Sequence, residues 1–268
     1  MSKDLTEHVA RVYNDHCSND DATARGHHHA AGEMPLRVAT WNIHDARGAD
    51  GRRDLDRVAR VIADLDAPLV GLQEVACGPT DACDVARLAA GNGYRWHAIP
   101  TRGHADLQHG NALLTTLPVE DVRIHDLSYP GREPRGALEA KVIWRAMRLR
   151  VVVTHLGLRA GERRHQVERL LSVISDDDVD ATILLGDINE WWLWGRPLRW
   201  LHRRFGFSPA VRTFPARLPL LALDRIWVHP HQSLTTVTRV NTPGARRASD
   251  HLPLLATLRL SGPAPGRR

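Results

Sequence analysis

The sequence has three cysteines and no long apolar run. Cys17, Cys77 and Cys83 are odd in number and lack the C-x-x-C spacing of a zinc site or a redox motif. They predict neither a disulfide framework nor a metal knuckle, and they fit a reducing compartment. No apolar leader stands at the N-terminus, and no stretch approaches the roughly 18 apolar residues that span a bilayer. We therefore expect a cytoplasmic protein without a transmembrane segment.

Lysine is scarce, because all but Lys3 and Lys141 of the 36 basic residues are arginine. The formal net charge is +5 and the isoelectric point is near 9.6, which favours an anionic partner. Nucleic acid, phospholipid headgroups and phosphorylated small molecules all fit this charge. Arginine binds phosphate in a bidentate manner, but a coding bias explains the composition more simply. No feature of the sequence indicates an obligate protein partner.

The chain divides into two terminal segments and one central region. Residues 1–34 are polar and contain the run His27–His29, which favours a flexible, solvated arm over a metal site. Residues 261–268 (SGPAPGRR) predict a disordered tail. Residues 35–260 contain no internal repeat and no linker long enough to split them, so we expect one catalytic domain there.

Strand-like and helix-like segments follow one another in the central region without the strict alternation of a doubly wound sheet. Two long apolar runs, 136–145 and 147–155, are separated by a turn and predict an antiparallel hairpin. This mixture predicts an α/β protein with two mixed sheets packed face to face and flanked by helices. The other expected strands are 36–42, 68–75, 94–99, 111–116, 181–187, 222–228, 235–240 and 253–259, and the expected helices are 54–66, 84–90, 160–175 and 194–205.

A polar residue stands at the end of strand after strand. Strands often end in polar residues for structural reasons, and at any single position that explanation is the simpler one. Eight such groups around one sheet instead predict a cleft lined by carboxylates, amides and two imidazoles. The set consists of Asn42, Glu74, His155, Asp187, Asn189, Asp224, Asp250 and His251.

Oxygen donors dominate this set. They suit a hard cation such as Mg²⁺, with Mn²⁺ or Ca²⁺ as substitutes, better than zinc held by histidine and cysteine. Mg²⁺ takes one or two carboxylates together with a phosphate oxygen of the substrate, so Glu74 and one further acid are enough to hold it. The sequence therefore predicts phosphoryl chemistry.

These segments resemble the signature blocks of the endonuclease/exonuclease/phosphatase family, whose fold is a four-layered α/β sandwich. The resemblance runs from about Arg37 to Leu260, and the blocks occur in the family's order. They are TWNIH (40–44), LQEV (72–75), GNALL (110–114), RGAL (135–138), THLG (154–157), GDIN (186–189), LDRIWV (223–228) and SDHLPL (249–254).

The resemblance implies a role for each matching residue. Glu74 would be the principal metal ligand, with Asn42 and Asp250 at or beside the metal. Asp187 would orient the attacking water and help to deprotonate it. Such an arrangement performs in-line hydrolysis, which needs an activated water, a cation for the phosphate oxygens and a donor for the leaving group.

Five further residues complete the implied site. Asn189 and Asn111 would fix the water and the phosphate. His251, hydrogen-bonded to Asp224, would act on the phosphate as an acid or a transition-state donor, and His155 would be the second imidazole. Two alternatives stay open: Asn111 supports only a turn, or Asp224 pairs with an arginine instead of His251.

Substrate choice is expected to lie in the loops, because family members attack DNA, RNA, inositol phosphates and phospholipid headgroups with one apparatus. Arg135, Trp191 and Trp192 are the candidate substrate contacts. Arginine and tryptophan beside a phosphate site stack on bases, or they seat in a lipid headgroup layer, where tryptophan is favoured. A third alternative places two tryptophans of the segment 190–200 in the core, on an amphipathic helix.

We therefore expect a divalent-metal-dependent phosphoester hydrolase, with a phosphodiesterase or nuclease such as an endonuclease favoured. An enzyme acting on lipid or inositol phosphates is the alternative. A catalytically inactive phosphate-binding module is the third candidate, and the complete polar set argues against it.

Overall fold

The computed structural model describes residues 35–77, 83–104, 107–174 and 178–260. The predicted arm 1–34 with its histidines and the predicted tail 261–268 lie outside these ranges. The strands are β1 (Leu36–Asn42), β2 (Leu69–Cys77), β3 (Arg95–His104), β4 (Leu107–Thr115), β5 (Val119–Asp126), β6 (Gly136–Trp144), β7 (Met147–His155), β8 (Ala181–Asp187), β9 (Asp224–His229), β10 (Leu234–Arg239) and β11 (Leu254–Leu258). The helices are α1 (Leu55–Leu65), α2 (Asp84–Asn92), α3 (Ala160–Val173), α4 (Arg196–Phe205) and α5 (Pro243–Ala248).

The strands form two mixed sheets. The first has the order β10-β11-β1-β2-β4-β3, and the second has the order β5-β6-β7-β8-β9. Each contains one parallel pair, β1 with β2 and β7 with β8, and its other pairs are antiparallel. The predicted hairpin is β6 and β7, where Trp144 pairs with Met147 across the turn.

Three apolar clusters separate four layers. The sheets pack on each other through side chains such as Val38, Val153 and Ile183. The outer face of the first sheet is covered by α1, α2 and α5, and the outer face of the second by α3 and α4. The arrangement is a four-layered α/β sandwich, and it confirms the predicted fold class.

One edge of this sandwich collects the polar strand ends. The parallel strands of each sheet end there, and their antiparallel neighbours begin there. Asp187, the last residue of β8, pairs with Asp224, the first residue of β9, and also with His155 at the end of β7. In the first sheet, β1 ends at Asn42 beside β11. The segment that precedes β11 contains Asp250 and His251.

Two elements were not predicted, and the bounds of several others differ from the sequence-based expectation, as in β3, expected at 94–99, and β4, expected at 111–116. β5 was not predicted, because its half-buried valines and isoleucine alternate irregularly with charged residues at the edge of the sheet. The six-residue helix α5, which begins after Thr242, is too short to give a periodic pattern. α4 begins at Arg196 rather than at 194. Among the described residues, no helix has the length and apolar character needed to cross a bilayer.

Candidate active site

The end of β1 turns sharply and brings Asn42 into the site. The main-chain nitrogen of His44 donates to Asn42 Oδ1 at 3.0 Å, so the amide oxygen closes a local turn. The amide nitrogen bridges two acids: it lies 3.1 Å from Glu74 Oε1 and 3.1 Å from Asp187 Oδ2. Asn42 therefore ties the predicted metal ligand to the predicted base.

Glu74 leaves its strand at a β-bulge. The pairing of β2 with β4 shifts register between Leu72 and Val75, and Glu74 has a φ of 54°, in the left-handed region. A non-glycine residue adopts this conformation at a cost of about 1–3 kcal/mol, which is typical of functional positions. Glu74 lines the cleft described below.

Asp187 is held by a similar turn at the end of β8. The main-chain nitrogen of Asn189 donates to Asp187 Oδ1 at 2.9 Å, and Asn189 has a φ of 53°. Gly186 precedes them with a φ of 147°, and an added Cβ would lie 1.9 Å from the carbonyl oxygen of Thr154. The glycine of the GDIN block is therefore required for the approach of Asp187 to β7.

His251 and Asp224 form a buried ion pair. His251 Nδ1 lies 2.8 Å from Asp224 Oδ2, and Asp224 is fully buried. The hydroxyl of Thr213 donates to the same carboxylate oxygen at 2.6 Å. The other imidazole nitrogen of His251, Nε2, lies 3.7 Å from Asp187 Oδ2. Asp224 thus orients the imidazole so that Nε2 faces the cluster, and the pairing is with His251 rather than with an arginine.

Burial and charge shift the pKa values of this cluster. Burial raises the pKa of the Asp187 carboxyl to about 6, although the His251 cation opposes the shift. Burial also disfavours the His251 cation, but the carboxylates of Asp224 and Asp187 outweigh it and raise the pKa of His251 to about 10. At neutral pH, the imidazole is therefore a proton donor and Asp187 is mostly ionised.

His155 is oriented from the opposite side. Arg135 Nη1, which can only donate, lies 3.3 Å from His155 Nδ1. Nε2 contacts Asn189 Nδ2 at 3.0 Å and lies 3.5 Å from Asp187 Oδ2. Arg135 also donates to Glu133 at 2.9 Å. His155 is therefore held between Arg135 and Asn189, with Nε2 beside Asp187.

A small open cleft lies beside this cluster. It is lined by residues of both sheets: Glu74, Thr101, His109, Gly110, Asn111, Arg135 and His155. Asn111 lies within β4 opposite Ile99, and its amide nitrogen donates to the carbonyl oxygen of Gly136 at 3.0 Å. Asn111 thus joins the two sheets, and it supports no turn.

Asp250 joins the cluster through Ser249. The buried Ser249 hydroxyl donates to the main-chain oxygen of Asn42 at 2.7 Å and lies 3.4 Å from Asp250 Oδ1. Asp250 also lies 3.6 Å from His44 Nδ1, and it is more exposed than the other acids of the site. Ser249 therefore holds the segment that precedes β11 against the end of β1.

Two groups of side chains offer metal donors. Asp187, Asp224 and His251 provide ligand atoms within 4.8 Å of one another. His251 is protonated there and already bonded to Asp224, which disfavours a cation at this cluster. Glu74 presents its carboxylate at the bulge in the cleft, and its oxygen donors suit Mg²⁺. The residues fit a hard cation at Glu74, beside Asn42.

Four contacts at the site were missed by the sequence analysis. Thr213 and Ser249 act through hydroxyl hydrogen bonds that no local pattern indicates. His109 lies in the cleft, 3.0 Å from Asp45, and His44 lies beside Asp250. The THLG block predicts only His155 as a functional histidine. His44 lies two residues after Asn42 in the TWNIH block, so that block could have identified it.

The predicted substrate contacts Trp191 and Trp192 lie in the loop before α4. Both are exposed, as is Trp194, so the alternative that places them in the core is wrong for these three. Trp200 does pack partly against the core from α4. The loop is anchored by Glu190, which binds Arg163 at 3.0 Å and accepts from the main-chain nitrogen of Trp192. The arginine in turn stacks on Trp191, 5.4 Å from its ring centre.

Known structures share this architecture. An endonuclease/exonuclease/phosphatase from Beutenbergia cavernae has a TM-score of 0.68 and 22% identity, covering 85% of this chain and 72% of that one. A mannosyl-6-phosphatase from Bacteroides thetaiotaomicron has a TM-score of 0.65 and 17% identity, covering 82% and 98%. The human Nocturnin catalytic domain with bound sulfate anion has a TM-score of 0.63 and 16% identity, covering 85% and 95%. At these identities the likeness concerns the fold.

Sequence comparison extends the likeness. The uncharacterized protein YbhP of Escherichia coli (strain K12) is 30% identical over 257 aligned residues, which cover 85% of this chain and 98% of that protein. The model of the Endonuclease/Exonuclease/phosphatase family matches residues 39–251, a span that contains every polar side chain of the cluster. The chain belongs to the endonuclease/exonuclease/phosphatase family.

Proposed function

We propose that this protein is a divalent-metal-dependent phosphodiesterase. Members of its family hydrolyse phosphoesters. One observation carries the proposal: a buried imidazole with a raised pKa faces an ionisable carboxylate, Asp187, beside an acid-lined cleft. Acid–base catalysis requires two titratable groups, one of which is protonated and the other ionised at the working pH. The different environments of the imidazole and the carboxylate produce this difference.

Asp187 acts as the base. Its carboxylate is fixed by Asn42 and by the main-chain nitrogen of Asn189, so it presents one geometry to an attacking water. The water transfers one proton to this carboxylate as its oxygen forms a bond to the phosphorus atom. The ester P–O bond opposite the incoming oxygen breaks, and the leaving alcohol oxygen takes its proton from water. With a pKa of about 6, Asp187 is ionised at neutral pH and yet is a stronger base than an ordinary exposed aspartate.

His251 acts as the donor. Its Nε2–H faces the cluster, and Asp224 stabilises the imidazolium through Nδ1. The proton on Nε2 bonds to a phosphate oxygen as negative charge develops there. This interaction strengthens in the transition state, where the charge is greatest, and therefore lowers the barrier rather than only improving binding.

The cleft holds the phosphate. Arg135 and Asn111 line it from the two sheets, and Arg135 supplies a fixed cation within a buried setting. His155 lies beside Arg135 as the second imidazole of the site. Glu74 would hold the cation, with Asn42 and Asp250 beside it. When bound, Mg²⁺ or Mn²⁺ would neutralise charge on the phosphate oxygens.

The comparisons support a phosphoester substrate. One structural relative is named as a mannosyl-6-phosphatase, and another is the Nocturnin catalytic domain with a bound sulfate, an anion of phosphate-like shape and charge. These relatives are 16–17% identical to this chain, so they support the reaction class without giving its substrate. The nuclease activity and the cytoplasmic location expected from the sequence stay predictions.

A panel of substrates tests the proposal. Plasmid DNA, RNA, bis-p-nitrophenyl phosphate, p-nitrophenyl phosphate and phospholipid vesicles would be incubated with the full chain and Mg²⁺ or Mn²⁺. We expect the diester bis-p-nitrophenyl phosphate to be hydrolysed faster than the monoester. If the monoester alone is hydrolysed, the protein is a phosphatase, and the phosphodiesterase proposal is wrong.

A further inference from the structure

Exposed apolar side chains concentrate at the edge of the second sheet that carries the active site. Among the described residues, ten large apolar side chains are exposed, and Val173 and Phe207 lie elsewhere. The other eight stand on loops that enter or leave β6, β7, β8 and β9 at the catalytic edge. We call them the apolar rim: Tyr129, Leu158, Trp191, Trp192, Leu193, Trp194, Leu218 and Leu220.

The topology places these loops together. Leu158 follows His155 at the end of β7, and the tryptophans follow Asp187 at the end of β8. The loop that carries Leu218 and Leu220 leads into Asp224, and it packs on the site. In that loop the main-chain nitrogen of Ala216 donates to the oxygen of Asp250 at 2.6 Å. The ring of Phe214 also contacts the His251 ring, 4.8 Å between centres. Loops at the catalytic ends of three consecutive strands, β7, β8 and β9, therefore present apolar side chains at the edge that carries the active site.

The side chains of the apolar rim do not belong to a hydrophobic core, because they point into solvent. Trp194 is 72% exposed and Leu218 is 66% exposed. The tryptophan loop is nonetheless rigidly anchored, because the buried Glu190 holds both Arg163 and the main chain of Trp192. Apolar side chains that are held outward at one edge of a folded domain mark an interaction site.

Charge on the same loops has one sign. Their acids are neutralised within the protein, since Glu133 binds Arg135 and the buried Glu190 binds Arg163. Exposed arginines stand beside the apolar tips, and a surface of tryptophan, leucine and arginine matches an anionic lipid headgroup layer. These arginines are Arg132, Arg159, Arg196, Arg212 and Arg217.

A nucleic acid fits this surface less well. Bases are bound by aromatic faces, whereas four of the eight rim residues are leucines, which have no ring to stack. Trp192 and Trp194 pack edge to face, 5.9 Å between centres at 73°, so they do not form parallel plates for a base. Leucine side chains instead gain free energy by entering the acyl boundary.

We infer that the apolar rim docks this protein on an anionic lipid bilayer and places the active-site cleft at the headgroups. Given the proposed phosphodiesterase activity, on which this part rests, the substrate class is then a phosphodiester of a membrane lipid. Docking explains why most of the exposed apolar side chains lie at the catalytic edge and not on another face of the sandwich.

Co-sedimentation tests the docking without any turnover. The full chain, in EDTA, is mixed with vesicles of phosphatidylcholine alone or of phosphatidylcholine and phosphatidylglycerol in equal amounts. We expect binding to the anionic vesicles, weakened by added salt. The variants Trp192→Ala/Trp194→Ala and Leu218→Ala/Leu220→Ala should each lower the vesicle partition coefficient about tenfold or more. The matched control is Val173→Ala/Phe207→Ala, which removes exposed apolar side chains away from the rim and should bind as the unaltered chain does.

Three outcomes would overturn the inference: the unaltered chain stays in the supernatant, the rim variants bind like the unaltered chain, or the chain binds single-stranded DNA and no vesicles. Circular dichroism of each variant separates lost docking from lost folding, and the two rim variants lie on different loops. Vesicle binding without hydrolysis of any diester would contradict the proposed function and would still support the docking surface. Hydrolysis of soluble diesters without vesicle binding would do the reverse.

Discussion

The catalytic cluster and the apolar rim lie at the same edge of the sandwich and are built in opposite ways. Asp187, Asp224 and His251 are buried, and each is fixed by hydrogen bonds to neighbouring strands. The rim side chains are exposed, and the tryptophan loop is held mainly from beneath by Glu190. Under the two proposals above, the cluster would carry out the reaction and the rim would place it at a membrane surface. Changes to the cluster should affect turnover, and changes to the rim should affect access to substrate.

The largest effect is expected at the cluster. Asp187→Asn and His251→Ala should each lower kcat on bis-p-nitrophenyl phosphate by at least about 100-fold, because each removes a proton-transfer group. Circular dichroism and thermal unfolding provide the control for the fold. Near-normal turnover by either variant would show that the assigned roles are wrong.

The pH dependence sharpens the assignment of His251. Activity should rise as Asp187 ionises, through its pKa of about 6, and fall as His251 loses its proton, through its pKa of about 10. Asp224→Asn removes the anion that stabilises the imidazolium, so the pKa of His251 falls and the alkaline limb moves to lower pH by about one unit or more. A pH–rate profile of kcat for both proteins measures the shift. If the alkaline limb does not move, deprotonation of His251 is not the cause of the loss of activity at high pH.

The smallest effect on chemistry is expected at the rim. Trp191→Ala/Trp192→Ala should raise KM for a vesicle or polymeric substrate about tenfold, because the lost contacts are remote from the reacting phosphate. Turnover of bis-p-nitrophenyl phosphate should fall far less. A parallel loss of both activities would mean that this loop shapes the cleft itself, and the division between cluster and rim would be lost.

The sequence predicted the fold and the membership of the cluster because both depend on local signals. The strands that carry the cluster are apolar runs with a polar residue at one end, and the ends of parallel strands meet at one edge of a sheet. The sequence did not predict Thr213 and Ser249, because their hydroxyls act only after distant segments are packed. It left Trp191 and Trp192 undecided, since a run of tryptophans has the same composition in a core and on a surface. In the structure both tryptophans lie outside the helix, because α4 begins after them, at Arg196.

The bulge at Glu74 shows the same limit at one residue. LQEV reads as the end of a buried strand, and nothing in those letters indicates a φ of 54° or a shift of register. Yet this conformation distinguishes Glu74 from the regular residues of β2. Family resemblance identified the residue, and the backbone supplies the physical reason for its exposure to the cleft.

The central claim is that this cleft hydrolyses phosphodiesters with a divalent cation held at Glu74. The most direct test is hydrolysis of bis-p-nitrophenyl phosphate by the metal-stripped chain in EDTA, followed by titration with Mg²⁺ or Mn²⁺. We predict no hydrolysis in EDTA and recovery on adding either cation in excess of the chelator, because the oxygen donors of the cleft need a cation to neutralise the phosphate. Undiminished hydrolysis by the metal-stripped protein in EDTA would contradict the account.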